Sequence, residues 1–162
     1  MLQRFDSILD GAPQLNHVEF PSPGAQKVAL GAPVTELVTL FAPDKSSALD
    51  SDVQKFVEVL NRDAKGFLAV ASGWVVEEVK HEKLAPSDGR AYFMAIGWGS
   101  IEEHMAYRAT DSFRNNIGLL RDHATAIEMR HVAFVNAGPG GVPRPDDDPR
   151  IGTVSGKEQS QM

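Results

Sequence analysis

The stretch GWGSIEEHMAYRATDSFR, residues 97–114, brings Trp98, His104 and Tyr107 close together in the chain. An indole wall, an imidazole and a phenol hydroxyl are what a small aromatic pocket with acid–base chemistry requires. His104 is the candidate catalytic residue, because imidazole removes, donates or relays a proton near neutral pH. Trp98 and Tyr107 are candidate ligand-binding residues, one offering a flat face and the other a hydroxyl one turn beyond His104. Glu36 is a fourth candidate, an acid inside the apolar run PVTELVTLF. A buried carboxyl must be paired or protonated, so Glu36 is expected to meet His104, an arginine or a ligand.

Each candidate also has a plain structural reading. Trp98 suits a core, His104 suits a bond to a backbone carbonyl, and Glu36 suits an association seam. Trp74 and Tyr92 read as packing residues. His131 alternates with Met129 and Ala133 and reads as a core or interface histidine. His81 and His123 read as loop or surface residues.

Several other chemistries lack their residues. The chain has no cysteine, which removes disulfides, thiolate nucleophiles and cysteine-based metal sites. No H-x-H, H-E-x-x-H or compact acid cluster is present, so no metal site is expected. No G-x-S-x-G stands out. GPGG at 138–141 is followed by neither Lys nor helix, so it is not a phosphate loop. No cofactor is expected.

The elements that must position the candidates follow from periodicity. Residues 33–41 alternate and are rich in β-branched side chains, as a strand requires. Val53, Phe56, Val57 and Leu60 place an apolar stripe on one face of a helix, with Ser or Asp before it as caps and Gly66 to end it. FLAVASGWVVEEV (67–79) reads as a long strand whose glycine marks a bend, and RAYFMAIGW (90–98) as its hairpin partner. Ser100 and Glu103 form the S-x-x-E capping box of a second helix, which breaks near Thr110 and restarts. In that helix Ile101 and Met105 supply the apolar stripe, and His104 lies on or beside it. IEMRHVAFV (127–135) is the last strand. The order is βαββαβ.

The 162 residues suit one domain with tails, and 42% hydrophobic content is enough for one core. A net charge of −6 without a basic patch argues against nucleic acid as a partner. No apolar run is long enough to span a membrane, and the start does not read as a signal peptide. A cytoplasmic setting is expected. Residues 138–162 are Pro-, Gly- and acid-rich and read as a disordered tail.

The W-x-S-x-x-x-H at the start of the second helix, within a βαββαβ order, resembles the dimeric α+β barrel superfamily. That group includes the antibiotic biosynthesis monooxygenase-like and stress-responsive barrel domains. The residues that carry the likeness are APVTEL (32–37), GWGSIEEHMAY (97–107), DSFR (111–114) and HVAF (131–134). The sequence is most similar to fungal proteins with two tandem copies of the domain. The full copy would be 33–137, and 1–32 resembles the last helix and strand of a preceding copy. His17-Val-x-Phe echoes His131-Val-x-Phe, 114 residues apart.

The resemblance implies an α+β, ferredoxin-like fold: a four-stranded antiparallel sheet with helices on one face, paired with a second copy into a barrel. Apolar side chains on both faces of 33–41 agree with a covered second face. The expected partners are a second copy of the chain and a hydrophobic or aromatic small molecule. As an enzyme, the protein would be a cofactor-independent monooxygenase or cyclase acting on an aromatic, polyketide-like substrate. Haem-degrading relatives of this fold carry an axial histidine four residues after a phenylalanine of an S-x-x-F-like motif. Here that residue is Ile117, after Phe113, which argues against haem. The alternative is a non-catalytic stress-responsive or interaction protein whose pocket is filled. Space beside His104 separates the two. An RNA-recognition domain shares the βαββαβ order, but RAYFMAIGW lacks the glycine and the spaced exposed aromatics of that signature.

Overall fold

The computed structural model describes residues 15–21, 23–42, 45–84 and 89–134. The expected tail at 138–162, the last strand residue expected, Val135, and the helix expected before His17 lie outside that set.

The βαββαβ core forms with nearly the expected bounds. β1 (Val34–Ala42) is central, with β3 (Arg90–Trp98) antiparallel on one side and β4 (Ala126–Val132) on the other. β2 (Phe67–Trp74) pairs with β3, so the strand order is β2-β3-β1-β4, a ferredoxin-like arrangement. α2 (Ser47–Asp63) is capped by Ser46, whose hydroxyl accepts the Ala48 N–H at 3.2 Å. It ends at Ala64, and Gly66 (φ 82°) takes the left-handed turn into β2. α3 (Ile101–Arg108), α4 (Asp111–Asn116) and α5 (Gly118–Arg121) form the second crossover. The break between α3 and α4 is chemical: Thr110 donates to the Tyr107 carbonyl at 2.7 Å and accepts the Phe113 N–H at 3.1 Å. One hydroxyl thus closes one helix and caps the next.

One face of the sheet holds the main core. Val38, Leu40, Tyr92, Met94, Ile96 and Trp98 point to it and meet Leu49, Val53, Phe56 and Leu60 of α2. Trp74 and Tyr92 pack edge-to-face there, as expected of packing residues. This is the period-two and period-3.6 match that makes a sheet-on-helix layer.

The second face is covered in part by the chain's own head, which the sequence did not foretell. α1 (Pro23–Leu30) lies over β2 and β3. It comes close because the strands beneath present Ala71, Ala95 and Gly97, and Ala29 is fully buried against them. Buried Thr35 donates to the Ala29 carbonyl at 2.8 Å and ties the helix end down. Before α1, residues 15–20 run along the end of β2, with Val18 opposite Val75 and the Val76 N–H donated to the His17 carbonyl at 2.8 Å. The strand expected in the head does not form among the described residues: this segment meets the end of β2 through one isolated antiparallel bridge. β2 ends at Trp74 rather than Val79: beyond it the Val76 N–H bonds the head, and among the described residues only the Val75 and Val79 N–H groups still bond Ala91 and Gly89. Gly73 marks a close approach and not a bend: a Cβ there would lie 2.0 Å from the Glu19 carbonyl oxygen.

The same logic makes a test of the α1 seat. A Cβ at Gly97 would stand 2.9 Å from the Ala32 Cβ and 3.1 Å from the Ala29 Cα. Gly97→Val is expected to lift α1 from the sheet at a cost of about 1–3 kcal/mol. Amide hydrogen exchange should then lose protection over 25–30 while β1 and β3 keep theirs. Protection unchanged across α1 would show that the helix is not seated on Gly97.

Candidate functional site

A recess of about 260 Å³ lies between the first sheet face and the helices. Its floor is Val38, Leu40, Ile96 and Met129 of the strands, and its walls include Phe56, Phe113 and Leu120. All four expected residues, Glu36, Trp98, His104 and Tyr107, line it, together with Arg108 and Arg121. It is an open recess with a mostly apolar lining, the form that small-molecule sites take.

Each side chain reaches the recess for a local reason. Glu36 shares its face of β1 with Val38 and Leu40 by strand alternation, and its neighbour across β3 is Ile96. Trp98 closes β3 on that face. Ser100 caps α3 by accepting the Glu103 N–H at 3.2 Å, and this starts the helix so that its inward face carries His104 and Tyr107. Only this half of the capping box forms among the described residues; the Glu103 side chain lies instead over Gly66 and Gly99. The expected stripe on α3 is corrected here. Ile101 and Met105 are 44% and 50% exposed, whereas His104 and Tyr107 are buried.

The polar groups form one cluster. Trp98 Nε1 donates to Glu36 Oε2 at 3.1 Å, and His104 Nε2 lies 3.3 Å from the same oxygen. His104 Nδ1 faces His131 Nε2 at 2.7 Å. The Trp98 and His104 rings stack with centroids 4.7 Å apart. His104 Nδ1 is engaged by His131, and among the described residues neither imidazole nitrogen bonds a backbone carbonyl. Glu36 Oε1 makes no bond among the described residues, and Glu36 lines the recess.

Burial sets the protonation. Glu36 and His104 are 6% and 2% exposed. Burial pushes the Glu36 carboxyl up to about 7, against the opposing pull of the Trp98 bond and of Arg108. Burial also drives His104 down to about 4, helped by His131 and by Arg108. Between about pH 4 and 7 the two groups are therefore neutral, a carboxylic acid beside an uncharged imidazole, and not an ion pair. Burial, then Arg108, lowers His131 as well. The cluster is not a ligand set for a cation, since the 2.7 Å nitrogen–nitrogen spacing is that of a hydrogen bond.

Tyr107 is buried, and its hydroxyl has no hydrogen-bond partner among the described residues. The nearby Ser112 hydroxyl is spent on Asp63 at 2.6 Å. Burial raises the Tyr107 phenol above its ordinary range. Arg108, four residues after His104, lies above the Phe113 ring at 5.7 Å. Neither Arg108 nor Arg121 pairs with a carboxylate among the described residues, although both line the recess. The two were missed in the sequence. For Arg108 the signal was its i+4 spacing from His104.

His131 sits directly opposite Glu36 in the β1–β4 register, on the same face. Reading it as a core or interface histidine overlooked that pairing, which no local pattern reveals. His81 and His123 lie in loops, where His81 packs on Phe41 and His123 bonds Asp52 at 2.8 Å. Neither reaches the recess.

A four-stranded antiparallel sheet, helices crossing one face and a recess between them define a ferredoxin-like α+β protein with a buried carboxyl–imidazole cluster. Solved structures of similar fold include antibiotic biosynthesis monooxygenase proteins. One from Bordetella bronchiseptica is 16% identical, with a TM-score of 0.49 over 64% of this chain and 97% of its own. SnoaB, a cofactor-independent oxygenase from Streptomyces nogalater, is 15% identical, with a TM-score of 0.47 over 67% and 99%. One from Caulobacter crescentus is 12% identical, with a TM-score of 0.44 over 64% and 90%. Identities this low describe a shared fold. No family model matches the chain, and no curated protein matches it at a significant level. Among the described residues no helix is long and apolar enough to cross a membrane.

Proposed function

We propose that the recess binds a small aromatic molecule and removes a proton from it, with Glu36 as the base and His104 behind it. The observation that carries this reading is the open space beside His104: a filled core there would have favoured a non-catalytic protein. At about 260 Å³ the space sits just below the usual range of ligand sites, roughly 300–1,000 Å³, which suits one or two rings. A carboxyl held near neutrality is matched to proton abstraction at physiological pH. Glu36 Oε1 would take a proton from an acidic C–H, leaving the electron pair as an enolate. Arg108 and Arg121 would favour the oxyanion, and the Trp98 and Tyr107 rings would hold the plane of the ligand.

The enolate has two outlets that need no cofactor. It can close a ring on an internal electrophile. Alternatively, it can add dissolved dioxygen to a hydroperoxide, which loses water and leaves a carbonyl in place of the original CH₂. The polyketide-like substrate class rests on the sequence resemblance alone. The proposed setting is the cytoplasm, and the proposed state is a homodimer. The part of the second sheet face that α1 leaves open, with Leu37 partly buried and Phe134 49% exposed nearby, is where a second copy would pack.

The test uses 2-tetralone, a two-ring carbon acid, in D₂O. Wild-type protein is expected to shift in its NMR spectrum around the recess on adding it and to speed deuterium entry next to the carbonyl. Glu36→Gln should lose about 10²–10⁴-fold of that exchange. Ile117→Trp and Leu120→Trp, which fill the recess, should weaken binding by roughly tenfold or more, about 1.4 kcal/mol. Binding without exchange would support the second reading, a non-catalytic binding protein. No binding would overturn both.

A further inference from the structure

The carboxyl that faces the recess lies against the first of two hydrogen-bonded imidazoles. We infer that Glu36, His104 and His131 form a proton wire from the recess to the β4 edge of the sheet, with His131 as its outlet. The inference rests on the proposed role of Glu36 as a base, and it adds the path by which that base is reset.

Three observations carry it. The first is continuity: the steps are 3.3 Å from Glu36 Oε2 to His104 Nε2 and 2.7 Å from His104 Nδ1 to His131 Nε2. The two nitrogens of the middle ring face different neighbours, Nδ1 bonded to His131 and Nε2 close to Glu36, which is the arrangement a relay needs. The second is the gradient of burial. Glu36 and His104 are buried, and His131, on edge strand β4, is only partly so. The third is that His131 does not line the recess. It stands opposite Glu36 in the β1–β4 register, but its hydrogen bond to the site is the one to His104.

The proton balance closes at every atom. A ligand proton arrives on Glu36 Oε1, and a half-turn of the carboxyl group carries the new O–H to the position that faces His104. That O–H bond breaks as an N–H bond forms at His104 Nε2. The Nδ1–H bond of His104 breaks as an N–H bond forms at His131 Nε2. His131 is then an imidazolium and releases its other ring proton to water. The imidazoles change tautomer, and the reverse sequence returns a proton when the ligand needs one. Stacking on Trp98 fixes the orientation of the His104 ring. Other charge facing the wire comes from Arg108 of α3. Its positive charge disfavours a protonated His104 or His131, so a proton passes through and is not stored. From β3 the group facing it is the neutral Trp98 indole, and β1 contributes Glu36 itself. Asp63 and Arg62, at the end of α2, act on Tyr107 instead.

The experiment has a ligand-free arm and a turnover arm. In ¹⁵N-histidine-labelled full-length protein, a coupling across the His104–His131 hydrogen bond is expected, together with a fixed tautomer for each ring. His131→Gln should raise the pH at which His104 titrates, because His131 helps hold it down. In the turnover arm, His131→Gln should bind 2-tetralone as wild type does. It should exchange deuterium about 10- to 100-fold more slowly, with the rate restored by free imidazole in the buffer. His131→Asn serves as the second variant. Absence of the coupling together with an unmoved His104 titration would overturn the wire. So would undiminished exchange in both variants. If wild type binds no 2-tetralone, the proposed function fails, and the ligand-free arm still decides the wire.

Discussion

Trp98→Ala is expected to lower stability by about 3–5 kcal/mol, the range for emptying a large aromatic side chain from a core. Trp98 is 1% exposed, stacks on His104, and meets Phe67 edge-on at 6.0 Å and Tyr107 at 6.1 Å. Its indole N–H is also a bond partner of buried Glu36. The substitution therefore adds an orphaned carboxyl oxygen to a cavity, and both effects have the same sign. Thermal unfolding should shift down by roughly 6–20 °C for a chain of this size. Trp98→Phe keeps much of the packing and loses the bond, so it should fall between the two. The Glu36 carboxyl should titrate higher in both variants, because the Trp98 bond lowers it. A change in melting temperature of only a degree or two for Trp98→Ala would mean that this corner is not a packed core.

The second large effect is in the pH dependence of stability, and it is hidden in the wild type. Glu36 titrates near 7 in the folded chain against an ordinary 4.5, so between those values the folded state holds more protons. Stability from this group is therefore full below pH 4.5 and is lost as the pH rises through 7. His104 titrates near 4 folded against an ordinary 6.5, so between those values the unfolded state holds more protons. Stability from this group is full above pH 6.5 and is lost as the pH falls through 4. Each shift is on the order of 3 kcal/mol, and both side chains are buried. Between pH 4.5 and 6.5 the two slopes oppose and nearly cancel.

Removing one partner should uncover the other. Glu36→Gln should gain stability with rising pH between 4 and 6.5. His104→Gln should lose stability with rising pH between 4.5 and 7. Urea midpoints measured at half-unit pH steps would decide this. Parallel curves for the wild type and both variants would mean that neither group is buried in the state assumed. The neutral pair is the physical reason that the site tolerates a carboxyl at all: burial penalises both charges, and the acid and the imidazole each accept the uncharged form.

The local elements were legible because each is written in neighbouring residues. RAYFMAIGW is a strand over the whole of Arg90–Trp98, and Ser100 starts α3 as its capping position demands. Thr110 breaks α3 from α4 where the sequence suggested. The misjudged stripe of α3 has a clear cause. Over eight residues, Ile101 and Met105 compete with His104 and Tyr107 for the inward face. Composition favoured the aliphatic pair, while the short loop from β3 turned the aromatic pair inward.

What the sequence by itself determined about this protein is the order of its elements, the alternation that places Glu36 on the face of Val38 and Leu40, and the helix start that delivers His104. These depend on contacts a few residues apart. Only the tertiary structure decided that His131 stands across from Glu36, that His104 bridges them, that Arg108 and Arg121 line the same recess, and that α1 covers part of the second face. Each of those depends on strand register and on the close approach that Ala71, Ala95 and Gly97 allow. Register is set by pairing across distant stretches of chain, and no local period encodes it.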